Sequence, residues 1–162
     1  MRRMRNCIFV LLALLLASCH SSPSYTEQYY RSKEVYDKYH SAILGMWHYE
    51  ENTNRMRYNC TFEFRADQSF TQTGSLSLRD SVVVEGHTVW GDWRSVVDTV
   101  STGKWRMGWS EELNSNYIAL DNKVGGGHVI EIKPFDITAS GQFLLQVDGS
   151  LVEMRKGPRP QP

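Results

Sequence analysis

Apolar and polar positions recur along this chain with three different periods, and each period marks a different kind of element. Arg2, Arg3 and Arg5 precede an unbroken apolar run from Cys7 to Ala17, closed by the small residue Ser18. A basic start, a short apolar centre and a small-residue end predict a signal peptide over residues 1–18. The apolar run is about 11 residues, too short for the roughly 20 that a membrane-spanning helix requires. A polar tether follows from His20 to Pro23. Ser24 and Glu27 then have the spacing of a capping box, and Tyr25, Tyr29, Tyr36 and Tyr39 recur at helical intervals. This predicts a short helix from Ser24 to His40. Its tyrosine face would dock on the domain; a lipid headgroup interface also suits such a face, but the mixed charge of Glu27, Arg31, Lys33, Glu34 and Lys38 opposite favours docking.

Beyond Ala42 the period changes to two. Tyr58, Cys60, Phe62 and Phe64 alternate with Asn59, Thr61, Glu63 and Arg65, the signature of a half-buried strand. Ala66 to Ser69 form a turn, and the run from Thr71 to Leu78 returns as its hairpin partner. Val82 to Val84 and Val89 to Val97 are β-branched runs separated by Glu85-Gly86-His87. Trp105, Met107 and Trp109 alternate with Lys104, Arg106 and Gly108 as a second amphipathic strand. Tyr117–Leu120, Val129–Ile132, Phe143–Val147 and Leu151–Met154 supply four more short runs. Asp121-Asn122, Gly125-Gly126-Gly127, Ser140-Gly141 and Asp148-Gly149 punctuate them, the last two as tight hairpins. About eight or nine short strands without intervening helical periodicity predict an all-β fold, an antiparallel sandwich or barrel. Closure removes the exposed edges of an open sheet, so we take a barrel over residues 42–156, complete or incomplete. The proline-rich tail 157–162 cannot continue a ladder and is expected to be disordered.

Charge and cysteine content narrow the function. The whole chain balances 18 Lys and Arg with 18 Asp and Glu. Loss of the leader removes three arginines and no acid, leaving 15 basic against 18 acidic residues and a formal charge of −3. No basic stripe is left to follow a phosphate backbone, which argues against a nucleic-acid partner. Of the three cysteines, Cys7 lies in the leader, Cys19 just after it and only Cys60 in the domain, so a mature intrachain disulfide is not expected.

Leu16-Ala17-Ser18-Cys19 resembles the lipobox of bacterial lipoproteins, in which two small residues lead into the cysteine that is acylated. The resemblance implies cleavage after Ser18 and a lipid anchor on Cys19. Two lipid signals already anchor a protein stably, each buried methylene contributing about 0.8 kcal/mol. His20-Ser21-Ser22 lacks the aspartate that resembles an inner-membrane retention signal in enterobacterial lipoproteins, and there is no acidic cluster resembling a surface-export signal. The expected location is therefore the periplasmic face of the outer membrane.

Residues 42–156 resemble the small bacterial lipocalin-like domains: an opening Ile43-Leu44-Gly45-Met46-Trp47, the strand Thr61-Phe62-Glu63-Phe64, the turn Asp67-Gln68-Ser69-Phe70, a second G-x-W at Gly103-Lys104-Trp105, and a closing Leu151-Val152-Glu153-Met154-Arg155. Gly91-Asp92-Trp93 is a third G-x-W, so the order of motifs rather than any one carries the likeness. Between Ser75 and Asp98 no family motif is found, which suggests an inserted or lengthened hairpin. The resemblance implies that Trp47 closes the barrel base and packs against Arg155 from the last strand, a stack worth roughly 0.5–2 kcal/mol. It also implies a small hydrophobic or amphiphilic ligand inside the barrel.

Signals for chemistry are sparse. His40, His48, His87 and His128 are scattered, with neither H-x-H nor H-E-x-x-H, so neither a metal nor another cofactor is expected. Cys60 points inward among aromatics and should be an unreactive buried thiol. Gly125-Gly126-Gly127 lacks a following Lys-Ser or Lys-Thr and reads as a turn. Glu111 and Glu112 are loop neighbours without acid–base spacing, and Asn59-Cys60-Thr61 is a chance glycosylation sequon. The expectation is a non-enzymatic, membrane-anchored periplasmic barrel binding such a ligand, its candidate lining Phe62, Phe64, Trp105, Met107 and Trp109. The alternative is a protein–protein interaction module with a solid core. A cavity above about 300 Å³ lined by those five residues would favour the first; a filled interior beside an exposed apolar patch would favour the second.

Overall fold

The computed structural model describes residues 25–124 and 126–157. The leader, Cys19, Ser24 of the expected capping box and the tail beyond Gly157 lie outside them. One helix, α1 (Tyr25–Ile43), leads into β1 (Gly45–Asn52), β2 (Met56–Phe64), β3 (Ser69–Leu78), β4 (Ser81–Val84), β5 (His87–Trp90), β6 (Arg94–Ser110), β7 (Ser115–Val124), β8 (Gly127–Ile137), β9 (Phe143–Val147) and β10 (Ser150–Lys156). Eight strands close an antiparallel barrel in the order β1-β10-β9-β8-β7-β6-β3-β2, and β4 and β5 form a separate two-stranded sheet. With that hairpin set aside, each barrel strand neighbours the next in sequence and β10 closes on β1. This is an up-and-down barrel, and the β4–β5 hairpin lies between Ser75 and Asp98, where an inserted or lengthened hairpin is expected.

Alternation sets which face is inside. Cys60, Phe62 and Phe64 of β2 are buried, and Phe70, Trp105, Met107, Ile118, Leu120, Phe135, Phe143, Leu145, Val147 and Met154 meet them from the other strands. The run expected from Val89 to Val97 is interrupted: β5 ends at Trp90 and β6 begins at Arg94, then continues for 17 residues through the Trp105–Trp109 strand. β6 can serve two partners because it passes from β3, paired over Arg94–Lys104, to β7, paired over Gly103–Ser110. Gly103 sits at that handover. A Cβ there would lie 1.9 Å from the Asp121 carbonyl oxygen and 3.1 Å from the Phe70 ring, so only glycine lets the strands approach.

The helix ends three residues later than expected, at Ile43, and only part of the expected tyrosine face docks. Val35 and Ile43 are buried, and Tyr36 and Tyr39 pack on the core, but Tyr29 is 59% exposed. Tyr39 meets Phe135 edge-on at 5.9 Å, and His40 stacks between Tyr36 at 4.5 Å and Trp105 at 5.4 Å. Ser32 Oγ accepts the Trp109 backbone N–H at 3.2 Å. The tyrosine periodicity located the helix but not its full docking face: Ser32, Val35, His40 and Ile43 share that face with Tyr36 and Tyr39, while Tyr29 is turned to solvent. Trp47 Nε1–H donates to the Ile43 carbonyl at 2.7 Å, capping the helix end as the chain turns into the barrel.

Candidate functional site

Four of the five apolar residues expected to line a cavity, Phe62, Phe64, Trp105 and Met107, form the packed bottom of the barrel instead. Phe62 and Phe64 stack at 5.9 Å, Phe64 meets Trp105 at 5.3 Å, and Phe62, Phe64, Trp105 and Met107 are all buried. Trp105 is fixed further by its indole N–H, which donates to the Arg65 carbonyl at 3.1 Å. Trp109 is half-buried against α1, with Arg31 over its ring at 5.8 Å. These side chains fill one another's space because the helix lies across this end and presents His40 and Tyr39 to it. A one-dimensional pattern gives the inward face but not what stands opposite.

The proposed stack of Trp47 on Arg155 is off by one residue. Trp47 pairs with Lys156, whose Nζ lies 5.2 Å from the indole centroid, whereas Arg155 pairs with His48 and is exposed. Successive strand residues face opposite sides, so this single step in register moves the arginine to the outer face. His48 Nδ1–H donates to the Gly157 carbonyl at 3.2 Å on that side.

Higher in the barrel the interior turns polar. Cys60 is buried, and desolvation pushes its thiol up to about 11. Across from it Lys133, only 8% exposed, reaches inward from β8 to an ion pair with Glu131 at 2.6 Å and lies 5.7 Å from the Phe62 ring. Nothing in the Val129–Ile132 run signalled this lysine. It becomes visible only once Lys133 is seen to alternate with the inward Phe135. Desolvation raises Tyr58 strongly, with the Cys60 thiol and the Asp148 carboxylate beside its hydroxyl. Above them the end opposite α1 is open. A cavity of about 240 Å³ there is lined by Tyr49, Glu51, Met56, Tyr58, Leu76, Val147, Asp148, Ser150 and Val152.

The second candidate surface is the β4–β5 hairpin. Glu85 and Gly86 both have positive φ, 52° and 80°, giving the two-residue turn that matches strand twist. Val82 lies opposite Val89 on one face, and Val83 opposite Thr88 on the other. Val82, Val83, Val84 and Val89 are all exposed, Val83 to 74%, and Val96, Val97 and Val100 of β6 are exposed as well. The root of the hairpin is held firmly. The Arg79 guanidinium lies 4.7 Å from the Trp90 ring and 4.6 Å from the Trp93 ring, and Arg57 lies 4.1 Å from Trp93 on top of the same stack. Arg79 also donates to the Asn54 carbonyl at 2.6 Å, and Asp80 pairs with Arg94.

The four histidines among the described residues occupy separate places: His40 on the helix against Trp105, His48 on the outer wall, His87 in the hairpin and His128 with Asp121 at 2.7 Å. Among the described residues no three His, Cys, Asp or Glu side chains gather as a metal site would require, and no helix is long and apolar enough to cross a membrane. Comparison with known proteins returned no matching family model, no matching curated protein and no matching solved structure.

Proposed function

We propose that this protein is a lipid-anchored envelope protein without catalytic activity, in which the barrel is a solid support and the β4–β5 hairpin docks a protein partner. The observation that carries this is the exposure of apolar side chains on both faces of a hairpin whose root is rigid. A lone two-stranded hairpin is at best marginal in water, and contiguous exposed valines mark a surface that is covered in use. Burying a valine contributes about 1.5 kcal/mol or more, so four give on the order of 6 kcal/mol before association costs. The outer edges of β4 and β5 have no strand beside them in their two-stranded sheet, which suits strand addition by a partner, with backbone hydrogen bonds giving affinity and the valines specificity. The packed aromatic bottom supports the same reading over an apolar ligand cavity.

The anchor rests on Leu16-Ala17-Ser18-Cys19 and the leader before it, and the outer membrane on the residues that follow Cys19. Cys19→Ser should release the protein from membranes and abolish labelling by a fatty acid. For the partner, a photo-crosslinking amino acid placed at Val83 in the full-length protein in cells should give one discrete adduct. The same group at Glu153, on the far wall, should not, and Val82→Asp with Val89→Asp should abolish the adduct without loss of β-sheet circular dichroism. No adduct from Val83, or the same adduct from both positions, overturns the proposal.

A further inference from the structure

The open mouth of the barrel plays no part in that reading, and its lining has a consistent chemistry. We propose that it is a binding site for a small organic cation, an alkylammonium group carrying a short apolar arm. Two aromatic rings face the cavity, Tyr49 and Tyr58, with centroids 6.3 Å apart and planes inclined at 58°. Two tilted π faces are the arrangement that receives an ammonium head. Two carboxylates stand at the same rim. Glu51 Oε2 accepts the Tyr49 hydroxyl at 3.1 Å, and Asp148, in the turn between β9 and β10, lines the same cavity.

None of the nine lining residues is basic. Lys133 is paired with Glu131, and among the described residues neither Glu51 nor Asp148 takes part in an ion pair. The remaining wall, Met56, Leu76, Val147 and Val152, is apolar and suits a hydrocarbon arm. A volume of about 240 Å³ equals the share of roughly eight liquid waters, room for a head group and a few methylenes but not for a long acyl chain. The site is independent of the hairpin valines, so it stands or falls apart from the docking proposal.

The test uses the full-length protein in a non-ionic detergent, titrated calorimetrically with choline and with its neutral isostere 3,3-dimethylbutan-1-ol. Choline is expected to bind saturably and at least about tenfold more tightly than the isostere. Asp148→Asn should weaken choline about tenfold, and asparagine tolerates the residue's φ of 47°. Glu51→Gln is the second variant should the first disturb the turn, while Tyr58→Phe, which keeps the ring, should retain most of the binding. Equal affinity for the alcohol, absence of saturation up to about 10 mM choline, or unchanged binding in both carboxylate variants would overturn the proposal.

Discussion

Trp105→Ala separates a solid barrel from a ligand barrel most sharply, because the two assign this residue opposite work. In the packed bottom Trp105 is 2% exposed, stacks on His40, meets Phe64 edge-on and donates to the Arg65 carbonyl. Truncation removes all of these at once. A buried Trp or Phe replaced by Ala costs about 3–5 kcal/mol in transfer and cavity terms, and each aromatic pair contributes about 0.5–1.5 kcal/mol, part of it already within that figure. We expect about 4 kcal/mol. With a urea slope of about 2 kcal/mol per molar for a domain of this size, the midpoint falls by roughly 2 M. Because Trp105 is also what His40 rests on, helix signal should be lost at lower denaturant than sheet signal in the variant. The measurement is equilibrium unfolding followed by far-ultraviolet circular dichroism and tryptophan fluorescence. A loss below about 1 kcal/mol, together with loss of binding of an apolar fluorescent probe, would mean that Trp105 lines a cavity, and would refute the solid-core reasoning.

Three further perturbations follow from particular contacts. Gly103→Ala forces a methyl to within 1.9 Å of the Asp121 oxygen, so β6 and β7 must part; the expected cost is at least about 1–3 kcal/mol by urea unfolding, and an unchanged midpoint would contradict the close crossing. Cys60 should resist maleimide at pH 8 in the native protein and react once unfolded. Its thiol is held protonated up to about 11 against an ordinary 9.0, so the native state binds more protons than the unfolded one over that window. The stability this group contributes is complete below pH 9 and falls as pH rises towards 11; Cys60→Ala should lose that part of the pH dependence when unfolding is measured across the window. At the barrel seam, Lys156→Ala should cost about 0.5–1 kcal/mol through its contact with Trp47, whereas Arg155→Ala should stay within about 0.5 kcal/mol; the reverse order in thermal unfolding would restore the arginine to the tryptophan.

What the sequence by itself determined is what short-range periodicity encodes. The alternation of Tyr58, Cys60, Phe62 and Phe64, and of Trp105 and Met107, established strands and their inward faces, and Phe143–Val147 matched its strand to the residue. The gap between Ser75 and Asp98 pointed to an inserted or lengthened hairpin, and the many short runs joined by turns pointed to about eight or nine antiparallel strands in a complete or incomplete barrel, of which the structure closes eight. Tertiary structure alone decided the rest, because those properties depend on which residues meet across the barrel. Register put Lys156 rather than Arg155 beside Trp47, since one step along a strand reverses the face. Packing of α1 across one end made a solid core of side chains whose pattern equally allowed a cavity. Closure brought Lys133 of β8 across to Phe62 of β2 and gathered Tyr49, Tyr58, Glu51 and Asp148 at one mouth, residues separated by up to about 100 positions in the chain. No local signal marks them, because their shared property is a common place in space and not a common period.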